Sequence, residues 1–238
     1  MRILLTLILT TSFTLDSYSQ RQATQYQKNI DANFAFGDQQ GSLSFLLLKN
    51  YSVGKSQKFK IGIGARLTSY LGLNQYFVTA PAQLTSGGTS PLILFQDNII
   101  KNIDTLIVKS AFNHSLNATV NFGYAISNKV HVGFNIDLIG FSFGNTSSAN
   151  YINGSQGKNT TASPTGFNIL LVSDNDRGSL NSEFYGKYFI NNRWGVKLAA
   201  QFLFTEYTTA TKVQTLPQEN DRFRNKSLLA SIGVTYKF

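Results

Sequence analysis

Between Asn29 and Phe238 the chain alternates apolar and polar residues with a period of two, again and again, and that pattern leaves few folds open. In Phe59 to Leu73 one parity holds Phe59, Ile61, Ile63, Ala65, Leu67, Leu71 and Leu73, and the other holds Lys60, Gly62, Gly64, Arg66, Thr68 and Tyr70. Successive side chains of a strand point to opposite faces, so this segment reads as a strand with one apolar and one polar face. Ser115 to Ile126, Val130 to Leu138, Trp194 to Phe204 and Ser227 to Phe238 repeat the pattern. Asn29–Gly37, Ser42–Tyr51 and Leu180–Ile190 show it more weakly and bring the count to eight. After Leu138 the apolar parity passes to Ile139, Phe141 and Phe143, which predicts a bulge near Gly140.

The connections are short at Ser52–Lys58, Ser127–Lys129 and Asn191–Arg193, and long at Asn74–Asn113, Asn145–Ser179 and Thr208–Asn225. Alternating lengths put all the short turns at one end of an up-and-down sheet, with Gly37–Gly41 as the tight turn at the other. Asn145–Ser163 is rich in Ser, Thr, Asn and Gly and reads as mobile. Residues 74–113 carry Ile99, Ile100, Ile103, Leu106, Ile107 and Val108, so partial order is expected, as a continued hairpin or a short helix over the mouth.

Which face meets solvent decides the environment. An eight-stranded barrel has an interior just wide enough for side chains to fill. The Phe, Leu, Ile, Val and Trp of the apolar faces do not fit into it, whereas Gly, Ser, Thr and Asn do. The apolar faces therefore point outward into lipid, the pattern of a transmembrane β-barrel. Composition agrees: 42% of residues are hydrophobic and only 14% charged, against about 25% charged in ordinary soluble domains. An aromatic content of 13% argues against disorder, and the absence of Cys excludes a disulfide framework and a thiolate metal site. Beyond the first 15 residues no apolar run reaches the roughly 20 needed for a membrane-spanning helix.

Those first residues have their own meaning. Met1-Arg2, the apolar Ile3–Leu15 and Ser17-Tyr18-Ser19 are the three parts of a secretory signal peptide, with cleavage expected after Ser19. The expected organisation is a signal peptide (1–19), a short periplasmic segment (20–28) and a barrel (29–238). The formal charge of +9 is spread over scattered Lys and Arg without a run of three, which argues against nucleic acid as a partner.

Barrels carry aromatic girdles at both membrane interfaces. Beside the short turns stand Tyr51, Phe59, Tyr124, Tyr188 and Trp194, with Phe238 at the chain end, and these are assigned to the periplasmic girdle. Phe34, Phe36, Phe112, Phe141, Phe143, Phe184 and Tyr207 are assigned to the outer one. The ending Val234-Thr-Tyr-Lys-Phe238 places Val234, Tyr236 and Phe238 on the outward face.

With signal peptide, strand count and this ending together, the chain resembles the small eight-stranded outer-membrane β-barrel proteins of Gram-negative bacteria. The segments Gly133–Gly144, Asn102–Leu106, Ser173–Asp176 and Asn220–Lys226 resemble those of uncharacterised Bacteroidetes outer-membrane barrel proteins. The resemblance implies an outer-membrane location, a fold that is all-β, antiparallel and up-and-down with long extracellular loops, and insertion by the outer-membrane assembly machinery, which would read Val234, Tyr236 and Phe238. It implies outer-membrane lipid and lipopolysaccharide as surroundings and a monomeric barrel, and it carries no activity across.

Ionisable residues on the inward parity are Asp31, Lys60, Arg66, His131, Asp137, Glu183, Lys187, Lys197 and Lys237. Buried charges must pair, so an interior network is expected around Arg66, Asp137, Glu183 and Lys187, with Arg66 flanked by the two carboxylates. His114-Ser115 is the one superficial match to a lipid acyl hydrolase, but neighbours on a strand face opposite ways. Asp174-Asn175-Asp176 and Asp97-Asn98 read as turns rather than cation sites. No cofactor or metal motif occurs. The expectation is a non-enzymatic surface-binding or structural barrel with a filled interior, with a passive pore and an acyl hydrolase as the alternatives.

Overall fold

The computed structural model describes residues 26–90, 96–153 and 156–238. The expected signal peptide and its cleavage after Ser19 lie outside the described residues. Among the described residues eleven strands form one antiparallel sheet: β1 (Tyr26–Gly37), β2 (Gln40–Val53), β3 (Phe59–Thr79), β4 (Thr105–Ala125), β5 (Val130–Gly144), β6 (Ser147–Asn153), β7 (Gln156–Pro164), β8 (Phe167–Ile169), β9 (Leu180–Phe189), β10 (Trp194–Thr209) and β11 (Arg222–Lys237).

Eight of these close on themselves. β1 to β5 pair in sequence, β5 pairs β9, β9 pairs β10 and β10 pairs β11. The ring is completed by β1 with β11, from Asn29↔Lys237 to Phe36↔Ala230. These are the eight expected strands. β1 starts earlier than its alternation suggested, because Tyr26 to Lys28 pair with Tyr51 to Lys49 and so belong to the barrel. The bulge on β5 falls at Leu138, since Ala118 opposes Ile139 while Thr119 opposes Asp137.

The barrel strands β3, β4, β10 and β11 continue past the others. At their far ends β4 pairs β6, β6 pairs β7, β7 pairs β10, and Phe223 and Arg224 of β11 cross to Thr79 and Val78 of β3. The result is a second, six-stranded ring stacked on the first, which we term the crown. It leaves out β1 and β2, which stop at their tight turn, and β5 and β9. The described residues of 145–163 are thus mostly paired strand, which corrects the reading of that stretch as mobile. The projecting ends of β4 and β10 are unpaired edges that β6 and β7 satisfy, and Ser147, Ala149 and Tyr151 alternate onto a buried face. Of the two arrangements expected for residues 74–113, the described residues show the continued β3–β4 hairpin, followed by one helical turn at Ala82–Thr85.

The two rings have opposite interiors. In the lower ring the buried face is polar (Thr68, Asn113, Asn117, Thr119, Asn121, Asn135) and the outer face is apolar, exposing Leu43, Leu47, Ile63, Leu67, Phe141, Leu198, Ile232 and others. In the crown the buried cluster is apolar, with Phe77, Leu106, Val108, Ala149, Tyr151, Ala162, Tyr207 and Phe223. On β3 the phase changes at Asn74, which takes φ 50: even residues such as Arg66, Thr68 and Tyr70 are buried below it, odd residues such as Phe77 and Thr79 above it. β4 changes phase opposite, at Lys109 and Ser110, so the register holds through Leu73↔Ser110 and Gln75↔Val108. Among the described residues no helix is long and apolar enough to cross a membrane.

Candidate functional site

The strongest chemical concentration is in the lumen of the lower ring. Arg66 on β3 reaches Glu183 on β9 at 3.2 Å and Asp137 on β5 at 3.5 Å, and donates to the Asn181 carbonyl at 2.9 Å. Lys197 on β10 bridges Glu183 at 2.5 Å and Asp31 on β1 at 3.2 Å, and Lys187 on β9 meets Asp31 at 2.8 Å. The order Asp137–Arg66–Glu183–Lys197–Asp31–Lys187 alternates in sign, balances three carboxylates against three cations, and ties five strands across the lumen.

The remaining acceptor positions are also occupied. Asp137 accepts from Thr119 (2.7 Å), Asn117 (2.9 Å) and the Asn181 amide (3.1 Å), Glu183 from Asn135 (2.7 Å) and Asp31 from Thr235 (2.6 Å). A buried ion cluster holds only when its lone pairs and protons are satisfied in this way. Tyr185 fills the space beside it. Its hydroxyl accepts from Asn121 at 2.8 Å, its ring lies 4.9 Å and 5.1 Å from the Lys187 and Lys197 ammoniums, and Gly133 leaves room where any side chain would collide with the hydroxyl. At the short-turn mouth a vestibule of about 760 Å³ is lined by Lys58, Lys60, His131 and Lys237. Beyond it, beside Lys187 and Tyr185, lies a space of about 20 Å³, room for little more than one water.

The girdle residues assigned from sequence fall beside the short turns. Phe59 opposes Tyr124, Tyr188 opposes Val130 and Val196, and Trp194, half exposed at 50%, packs tilted against Tyr236 at 4.7 Å, which meets Phe238 edge-on at 5.2 Å. Tyr51 packs 6.5 Å from Tyr26, with the Lys49 ammonium over both rings. Val234 is exposed on the same outer face. At the other interface Phe34, Phe36, Phe112, Phe141, Phe143 and Phe184 are exposed. Tyr207 is not. It lies on the inward parity of β10 and packs edge-on against Phe77 at 5.2 Å inside the crown, which removes it from the outer girdle.

His114 and Ser115 point to opposite faces. Ser115 is buried in the lumen, while His114 Nδ1 sits 2.8 Å from Ser69 Oγ on the outer face, between Phe112 and Phe143. The Asp174–Asp176 turn is no open cation site. Asp174 pairs with Lys226 at 2.5 Å and accepts from Thr85 at 3.1 Å, and Asp176 Oδ1 accepts from the Leu171 amide at 2.6 Å.

That turn belongs to a second charged cluster, which the sequence reading missed. Glu206 takes Arg222 at 2.8 Å and 3.0 Å in a two-pronged contact and Arg224 at 2.8 Å, all on the outward parity of β10 and β11, covered by residues 165–179. The signal was available, since Glu206 directly opposes Arg224 once the β10–β11 alternation is carried past Phe204 and Leu228. Burial pushes the Asp176 carboxyl up. It also pushes the Tyr151 hydroxyl up to about 12, helped by the bond to Asp104 at 2.6 Å.

A closed eight-stranded ring with a filled polar lumen, an apolar outer belt and aromatic rims is a transmembrane β-barrel of the kind found in the Gram-negative outer membrane. No protein-family model matches the sequence, and no curated protein matches it either. Among solved structures the fold is similar to Neisserial surface protein A (11% identity, TM-score 0.35, covering 90% of this chain and 96% of that one). It is likewise similar to Ail of Yersinia pestis in complex with the heparin analogue sucrose octasulfate (10%, 0.33, 90% and 97%). A third likeness is to a major outer membrane protein from Thermus thermophilus (9%, 0.36, 91% and 100%). At these similarities the barrel assignment rests on the chain's own strand pairing and surface.

Proposed function

We propose that this protein is a non-conducting, non-enzymatic outer-membrane barrel whose task is to hold a rigid crown above the membrane for surface binding. The observation that carries the reading is the six-membered ion chain from Asp137 to Lys187, which occupies the lumen, with a space of about 20 Å³ beside it. Binding proteins place their contacts on loops held by a rigid scaffold, and here the described parts of the long connections include strands that enclose their own apolar core. The surroundings are outer-membrane lipid and lipopolysaccharide, the barrel is monomeric, and insertion follows export by a signal peptide cut after Ser19. The four segments named above support a Bacteroidetes-type barrel protein.

Purified protein in planar bilayers tests the reading. It should give no stable conductance steps, and regular steps would establish the pore instead. A second reading, lipid acyl hydrolysis, has one specific observation behind it, the Ser69–His114 hydrogen bond of 2.8 Å on the lipid-facing surface. Among the described residues no carboxylate is bonded to His114 to complete a triad, and the proposed function expects phospholipid incubations to yield no product that depends on His114.

A further inference from the structure

The outer flank of the crown contains a cavity of about 190 Å³ whose walls are chemically divided. Arg224, Lys226, Asp174, Thr85 and Asn98 supply the polar side, and Val78, Ala80 and Ile103 are among the apolar residues. Arg224 decides what this space is for. A guanidinium has five N–H donors. The two on Nη2 are used, toward the Asp176 carbonyl and Glu206. Nε and Nη1, carrying the other three, have no hydrogen-bond partner among the described residues, although Arg224 is only 1% exposed. The Asp174 carboxylate, 3.8 Å from Nη1, is engaged by Lys226 and Thr85.

Arg224 stands in the wall of the cavity with Nε and Nη1 closed to water, so a small shift of its side chain toward the space lets an entering acceptor satisfy those donors. The side chains facing that space, Arg224 and Lys226 against Asp174, leave one net positive charge. Lys226, 47% exposed in its side chain, stands at the rim, and two residues on Leu228 is exposed on the belt, so the opening lies just above the membrane boundary.

We infer that this cavity is a binding subsite for one oxyanion group, a phosphate or carboxylate on a short apolar body, gripped by Arg224 and Lys226. The volume is below the roughly 300 Å³ of pockets that take drug-sized ligands, so it accepts a small molecule or the end of a larger one. The group comes either from a free solute or from an acidic headgroup of the outer leaflet. The inference rests on the crown being the binding part of the protein.

The test uses the full chain refolded in a phosphate-free detergent, with isothermal titration of inorganic phosphate and of acetate, and separately of vesicles with and without lipid A. Saturable one-to-one binding of phosphate or acetate is expected for a free ligand, and binding only to lipid A vesicles for a headgroup. Either should weaken about tenfold in Lys226→Gln, the loss of one charge-assisted hydrogen bond, and vanish in Ala80→Leu, which fills the cavity and keeps every charge. Arg224→Gln removes the main anchor but also breaks the Glu206 pair, so the other two variants carry the result, with heat-modifiable gel mobility as the folding control. No binding of any probe, or binding unchanged in Ala80→Leu, overturns the inference. A conducting barrel with intact Ala80-dependent binding would instead overturn the proposed function and leave the subsite standing.

Discussion

The barrel and the crown are built partly from the same four strands, β3, β4, β10 and β11, yet they are inside out relative to each other. Below Asn74 the buried face carries Arg66 and Thr68 and the exposed face Leu67 and Leu71, whereas above it the buried face carries Phe77 and the flank carries the exposed Lys226 and the half-buried Arg222. The difference follows from the medium outside. Lipid accepts apolar side chains at no cost, so the barrel keeps its polar residues for the lumen, while water around the crown restores the ordinary rule. β3 and β4 cross the boundary by changing which parity faces inward, at Asn74 with φ 50 and opposite it at Lys109 and Ser110, without loss of register. β10 and β11 keep their odd residues inward and change residue type instead, from Lys197 and Gln201 to Tyr207 and from Thr235 and Ser231 to Phe223.

The largest effect should come from unbalancing the lumen. Arg66→Ala leaves Asp137 and Glu183 buried without their shared cation, which costs about 3–5 kcal/mol. The folded form should then lose its anomalous gel mobility at a lower temperature and a lower urea concentration. In the crown the comparable blow is apolar. Phe77→Ala removes a fully buried ring packed on Tyr207 and should cost about 3–5 kcal/mol. Hydrogen exchange should show the loss of protection in β6, β7 and the ends of β3 and β4, with the barrel strands unchanged. Equal loss in β1 and β2 would mean that the two rings unfold as one unit.

On the outer surfaces the ranking reverses. Leu198→Arg, at a belt position 62% exposed to lipid, should cost about 2–4 kcal/mol. Thr161→Arg on the exposed flank of β7 should stay within about 0.5 kcal/mol. Equilibrium refolding into vesicles measures both.

The smallest expected effect concerns pH. Burial raises the Asp176 carboxyl, so the folded crown holds that proton more tightly than the unfolded chain does, and its contribution to stability falls as pH rises above 3.8 through the raised value. Asp176→Asn keeps an acceptor for the Leu171 amide and should flatten that part of the dependence, modestly increasing crown protection at pH 7. An unchanged pH profile would mean that Asp176 does not set it.

The barrel was legible in the sequence because each of its strands repeats two signals, apolar alternation and a turn of matching length. The partners of Arg66 were legible for a related reason, since a filled lumen forces inward charges of opposite sign together. The crown was not legible in the same way. Ser147–Asn153 and Gln156–Pro164 carry few apolar residues, and what makes them strands is the pair of open edges on β4 and β10, a tertiary fact. Tyr207 was assigned to the girdle because it is aromatic and close to the interface, but its odd number places it inside. Ser69, the partner of His114, lies on a neighbouring strand 45 residues away and is fixed only by the β3–β4 register.

The inversion can be measured directly, because the chain contains no cysteine. Single cysteines placed from Ile63 to Thr79, each carrying an environment-sensitive fluorophore, would report burial, lipid or water residue by residue. Lipid contact is expected at 63, 67, 71 and 73, then water at 76 and 78 with burial at 77. Lipid contact continuing on the odd positions through 77 and 79 would contradict the inversion.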